Sequence, residues 1–174
     1  YAGPVLLRLK DTDAEADYFD EATGQTQDLS TDLRAMLHVN GSDAVTVALN
    51  PLTELAVRKW LGDAGGDGGT AGATLGSATS EAQVQTVNQA VAQAFGLSAD
   101  LLADVPVTVD HPAFAQGDIQ AQAYGQVLAA ISGMEAKAST TTTVVLDQLA
   151  QALSLTAGAA TLSEQAIEDV ILGA

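Results

Sequence analysis

The stretch "NPLTELAVRKWLG", Asn50 to Gly62, divides the chain into two hydrophobic rhythms. Asn50 is a helix-capping residue type, and Pro51 suits the first helical position, where its missing N–H costs nothing. Leu52, Leu55, Ala56 and Trp60 then recur on one helical face before Gly62. Upstream of this junction, apolar residues alternate with period two; downstream they repeat at helical spacing. A chain that changes rhythm once is expected to fold as α+β. The expected architecture is a small antiparallel β unit of about three strands over residues 1–50, followed by an Ala-rich bundle of about five helices over residues 51–174.

The strands are read at Pro4–Lys10, at Leu33–Val39 ("LRAMLHV") and at Ala44–Leu49 within "AVTVALN". Asn40-Gly41 is a hairpin signal because both residue types accept positive φ, so the spacing predicts that 33–39 pairs with 44–49. A further turn is read at Thr23-Gly24. Residues 62–80 hold seven glycines and form a flexible connection. Four more helices carry end signals. One starts at Ser80 with Gln83 completing a capping box, with Val84, Val87, Val91 and Phe95 on one face. Asp118 opens a long helix through Ile131 and Met134, another covers about Thr143–Leu153, and the last is capped by Ser163 or Thr161. A short helical turn is expected at Ser98–Ala103. The Thr140–Thr143 run delays helix onset through stiff, backbone-bonding side chains.

Charge narrows the function. With 22 acidic residues against 6 Lys plus Arg, the formal charge of −16 repels phosphate backbones and anionic lipid, so nucleic acid is excluded as a partner and cations or basic surfaces are favoured. Lys137 is the only Lys or Arg after position 61, leaving Gln, Thr, Ser and Asn to build the polar surface. Such a lysine-poor acidic surface is typical of bacterial secreted and cell-surface proteins. The absence of cysteine removes disulfides, thiolate catalysis and Cys-type metal sites. No segment has the roughly 18 uninterrupted apolar residues of a membrane span, so membrane insertion is not expected. Because Tyr1 leads directly into the strand-like "PVLLRLK", the expectation is a processed chain or a fragment of a larger one.

The candidate metal ligands lie in "DTDAEADYFDEATG". Asp11, Asp13, Glu15 and Asp17 occupy the first, third, fifth and seventh places of an EF-hand-like register. Ala16 and Ala22, however, stand where the turn glycine and the bidentate Glu belong. The stretch is therefore a candidate for calcium in the weak range of extracellular modules, against the alternative of a solvated acidic loop that discourages edge pairing. "GDAGGDGG" has neither a recurring calcium nonapeptide nor a P-loop GK[ST]. His38 reads as a rim residue beside its turn. His111, near Asp104, Asp110 and Asp118, is the better candidate for metal ligation or acid–base work. Ser132 lacks a nucleophile setting. Trp60 and Tyr124 could form aromatic platforms for a sugar, but Trp60 falls on its helix's apolar face and fits a plug between sheet and bundle.

The segments "PVLLRLKD", "YFDEATGQTQDLSTDLRAML" and "NPLTELAVRKWL" resemble a junction in large bacterial secreted or surface (adhesin-like) proteins. There the closing strands of an immunoglobulin-like module run into an "xPLTxLA" helix and an Ala-rich helical segment. The matching positions are Tyr18, Asp20, Glu21, Thr23 and Gly24, then Asn50, Pro51, Leu52, Thr53, Leu55 and Ala56. The resemblance implies an extracellular, cell-surface or periplasmic location and neighbouring domains in a larger chain. It also implies a non-enzymatic structural or adhesion module that binds a protein or carbohydrate partner. An immunoglobulin-like sandwich needs about seven strands and three are read here, so the sheet would be completed by the bundle or by another molecule. The rival reading is a small metal-assisted hydrolase built on the His111/Asp110 loop.

Overall fold

The computed structural model describes all residues except 17, 21, 22, 30, 42, 43, 64–74, 77, 157 and 158. In chain order its strands and helices are β1 (Ala2–Leu9), β2 (Tyr18–Asp20), β3 (Gln25–Gln27), β4 (Leu33–Asn40), α1 (Pro51–Asp63), α2 (Glu81–Ala94), α3 (Ile119–Ala138), α4 (Thr142–Ala152), β5 (Leu153–Thr156), β6 (Ala159–Leu162) and α5 (Glu164–Gly173). The fold is α+β, as the change of rhythm predicts. The strands form three two-stranded antiparallel ribbons, β1–β4, β2–β3 and β5–β6. Among the described residues no helix is long and apolar enough to cross a membrane.

The expected hairpin does not form. Gly41 does take a positive φ of 98°, so the turn signal is real. The partner of β4 is nevertheless β1, in a register that sets Pro4 opposite His38, Leu6 opposite Met36 and Arg8 opposite Arg34. Residues 44–49 adopt no regular structure; Ala48 N–H instead donates to the Leu102 carbonyl at 2.9 Å. The physical reason is burial. Leu33 through Leu37 are all buried, so β4 is a core strand, and a local turn cannot outweigh the long-range ladder that covers it. Pro4, which has no N–H to give a ladder, is tolerated because β1 is an edge strand.

Helix α1 lies against β4, α2, α3 and α4 and is buried nearly all round. Leu52, Leu55, Ala56, Val57 and Leu61 enter a common core with Met36 of β4 and residues of the other helices. The single apolar face read from the sequence is therefore too narrow a description. What permits full burial is charge compensation. Glu54, 1% exposed, accepts from Arg34 Nη2 at 2.7 Å and Arg58 Nε at 2.8 Å through Oε1, and from the Arg34 main-chain N–H and Nε, both at 2.9 Å, through Oε2. Arg58 reaches on to the Thr143 carbonyl at 3.2 Å and to Asp147 Oδ1 at 2.5 Å. Glu54 thus ties β4 to α1, and Arg58 carries the link on to α4.

The helix ends follow the sequence closely. Asn50 Oδ1 accepts from the N–H groups of Leu52 and Thr53 at 3.0 and 3.2 Å. Ser80 and Gln83 form the capping box, and Asp118 and Ser163 cap α3 and α5. At 98–103 the chain makes a hydrogen-bonded turn rather than a helix, with Asp100 Oδ1 accepting from the N–H groups of Leu102 and Ala103. The β5–β6 ribbon, which packs on α2, is too short to announce itself in the sequence. Most of the glycine-rich connection lies outside the described residues.

Candidate functional site

Helix α2 presents Val84, Asn88 and Ala92 at successive i, i+4 positions, all buried, with Gln85, Gln89 and Gln93 along the adjacent exposed row. Beside this face opens a cleft of about 640 Å³, within the range of small-ligand sites. Its other lining comes from the end of β4 (Leu37, His38), from residues 45–47 and from the turn 97–103. That turn is held firmly. Asp104 Oδ2 accepts from Asp100 N–H at 2.7 Å, and the buried Tyr124 hydroxyl donates to the Leu101 carbonyl at 3.2 Å while accepting from Asn50 Nδ2 at 2.7 Å.

Two lining residues carry the chemistry. Asn88, 5% exposed, donates through Nδ2 to the Met36 carbonyl at 3.3 Å, but its Oδ1 is buried with no hydrogen-bond partner among the described residues. His38 Nδ1 is in the same condition. A buried polar atom without a partner costs about 1–3 kcal/mol, so two around one cleft mark it as a place where a ligand's polar groups fit. The sequence carried one faint signal for Asn88, an amide on the otherwise apolar face of Val84, Val87 and Val91. The rim position read for His38 holds, and the rim is that of this cleft.

A second polar cluster seats the β2–β3 ribbon on α3. Asp20, 6% exposed, accepts from Thr23 Oγ1 at 2.9 Å, from Gln27 Nε2 at 2.5 Å and from the Ser132 hydroxyl. One turn beyond Ser132, Glu135 accepts from Thr142 Oγ1 at 2.9 Å. Burial pushes the Glu135 carboxyl from 4.5 up to about 7; the Thr142 hydrogen bond opposes the shift and the nearby Asp20 charge adds to it. Burial first, then the Asp20 and Glu135 charges, likewise lift Tyr18 to about 12.

The sign of the Glu135 effect follows by linkage. Its folded-state value is raised, so the folded chain holds this proton more tightly than the unfolded chain. Glu135 therefore weighs least on stability below pH 4.5, and its cost grows as pH rises through about 7. Glu135→Gln, which keeps the acceptor for Thr142, is expected to be more stable than the parent at pH 8 by roughly 1 kcal/mol, a figure discounted because the group is partly solvated. The advantage should shrink towards pH 5. Denaturation midpoints of both chains across this range check it, and a difference independent of pH would show that Glu135 is not the titrating group.

Asp11 Oδ1 accepts from Asp13 N–H at 3.1 Å and Asp13 Oδ1 from Glu15 N–H at 3.0 Å, so the acidic stretch forms successive Asx turns on the surface. The Asp13 N–H first, then a hydrogen bond with the Asp28 side chain, hold the Asp11 carboxyl below its ordinary value. Asp17 lies outside the described residues. His111 Nδ1 accepts from Ala113 N–H at 3.1 Å, Asp104 serves the 100–104 turn and Asp118 caps α3, so the three perform separate local tasks. Among the described residues no group of three His, Asp or Glu side chains is gathered to hold a metal ion. Tyr124 is buried and Trp60 packs partly buried against the core; neither lines the cleft. No protein-family model matches the chain, and no curated protein or solved structure matches it either.

Proposed function

We propose that the chain is a non-enzymatic extracellular or cell-surface module that holds a protein or carbohydrate partner in the cleft beside α2. The observation that carries this reading is the pair of buried, unpartnered polar atoms, Asn88 Oδ1 and His38 Nδ1, on residues lining one cleft. Stability alone would favour apolar side chains there. The amide row of Gln85, Gln89 and Gln93 adds neutral donors and acceptors of the kind that recognise uncharged polar ligands. The lysine-poor, acidic composition and the junction resemblance support a place outside the cytoplasm.

Asn88→Leu separates a binding role from a structural one. It removes a buried group whose acceptor is unsatisfied at the loss of one long hydrogen bond, so the denaturation midpoint should stay within about 1 kcal/mol of the parent. Binding should be lost. The parent and the variant are to be screened against arrayed glycans and against phage-displayed random dodecapeptides. A binder retained by the parent and lost by Asn88→Leu is the expected result. If neither collection yields a binder that distinguishes the two chains, the cleft is not a binding site.

A further inference from the structure

The cleft's own chemistry identifies the class of partner, and this inference rests on the reading of the cleft as a binding site. In an antiparallel ladder the N–H and C=O of one residue point to the same side, and the side alternates along the strand. The Arg34 N–H is taken by Glu54 of α1, and the Met36 carbonyl by Asn88 of α2, both on the edge of β4 that faces away from β1. Residue 38 follows in the same alternation. At 34 and 36 a helix side chain covers the edge, whereas His38 reaches the cleft.

The segment on the cleft's other side is equally short of partners. Val45, Thr46 and Val47 are strand-forming residue types, yet the segment has no ladder and these three make no hydrogen bond among the described residues. Val45 is 55% exposed. The cleft thus has strand-like main chain free on two parts of its lining and primary amides along a third. A primary amide offers a donor and an acceptor side by side, the complement of a peptide group's C=O and N–H. Asn88 Nδ2 is held by the Met36 carbonyl, and its Oδ1, buried and without a partner among the described residues, is matched by a main-chain N–H once the entering peptide displaces the side chains that cover it.

We infer that the cleft takes an extended peptide, gripped through its main chain by β-strand addition at His38 and Val45–Val47 and by the amides of Asn88, Gln85 and Gln89. Glu81 and Asp100 also line the cleft, in a chain of formal charge −16, so peptides bearing Lys or Arg are preferred over acidic ones.

The test uses the dodecapeptides selected on the parent chain, each remade with N-methyl groups at alternate backbone nitrogens. Because an extended peptide turns alternate N–H groups to opposite sides, one set towards His38 and the other towards Val45–Val47, methylating either set is expected to weaken binding about tenfold or more. In NMR titrations the amides of His38 and Val45–Val47 should move first. Thr46→Pro, which deletes one main-chain donor on an exposed segment, gives a second readout if Asn88 variants fold poorly, and should weaken the same peptides. Peptides indifferent to N-methylation, or no selected peptide at all, would overturn strand addition. A glycan that binds and is lost in Asn88→Leu would overturn the peptide class while leaving the cleft a binding site; silence from both collections would sink both.

Discussion

Glu54→Ala is expected to lower stability by about 3–5 kcal/mol, enough to unfold many domains of this size, because it leaves two buried guanidinium groups without their shared carboxylate. Arg34 and Arg58 are 4% and 5% exposed, and water cannot replace what Glu54 supplies to either. Arg58 keeps Asp147, whose side chain is 51% exposed and so is the weaker, better-solvated half of its pairing. The cost is that of breaking the set, and the set itself need not stabilise the fold. Replacing all three members by apolar residues of similar volume (Arg34→Met, Glu54→Leu, Arg58→Met) should therefore recover much of the loss. Chemical denaturation of the single and triple variants distinguishes the two statements. The surface pair Arg8–Asp32, 34% and 29% exposed, gives the contrast: Arg8→Ala should cost under about 1 kcal/mol and fade with added salt. A Glu54→Ala chain within 1 kcal/mol of the parent would mean that the arginines find other partners or reach water.

Gly125→Ala should be nearly as damaging, by a different route. A Cβ at Gly125 would lie 1.9 Å from the Val107 carbonyl oxygen and 2.8 Å from its carbon, both main-chain atoms. That segment has little freedom to retreat, since Val107 N–H donates to the Ala121 carbonyl at 3.1 Å one helical turn earlier on α3. In an unobstructed helix the same substitution is favourable by about 1 kcal/mol, because alanine loses less backbone freedom. Here overpacking outweighs that gain, and a net loss of about 3 kcal/mol is expected. Gly62 near the end of α1 supplies the control. Nothing lies within 4 Å of a Cβ built there, so Gly62→Ala should stabilise by roughly 0.5–1 kcal/mol. Thermal or denaturant midpoints that moved in the same direction for both variants would refute the close-approach argument.

The Ala- and Gly-rich character of the helical half thus has a direct structural use. Gly133 of α3 would place a Cβ 1.8 Å from the Gly173 carbonyl oxygen, so α3 and α5 also meet backbone to backbone. An Ala-rich helical half is in keeping with helices that approach closely. Which glycines stand at the crossings did not follow, because that depends on how two distant segments meet.

What the sequence determined by itself is what local interactions decide. The class α+β, the start of α1 at Asn50-Pro51, the Ser80–Gln83 box and the Asp118 and Ser163 caps all rest on bonds within about four residues. So does the turn at Thr23-Gly24, where Gly24 takes a φ of 65° and its N–H meets the Asp20 carbonyl at 2.8 Å. Everything that joins distant segments was settled only by the tertiary structure. Asn40-Gly41 told of a turn but not of the strand that β4 would join, and β1, some thirty residues earlier, took the place that residues 44–49 were expected to fill. Nothing in the sequence joins Arg34, Glu54 and Arg58, because side-chain type alone says nothing of partners. Their burial depends on three elements converging so that Coulomb attraction and hydrogen bonds offset desolvation. The cleft is of the same kind: Asn88, His38 and Val45–Val47 are far apart in the chain, and free main-chain groups leave no mark on a sequence, since every residue carries them and only the fold decides which ones stay unpaired.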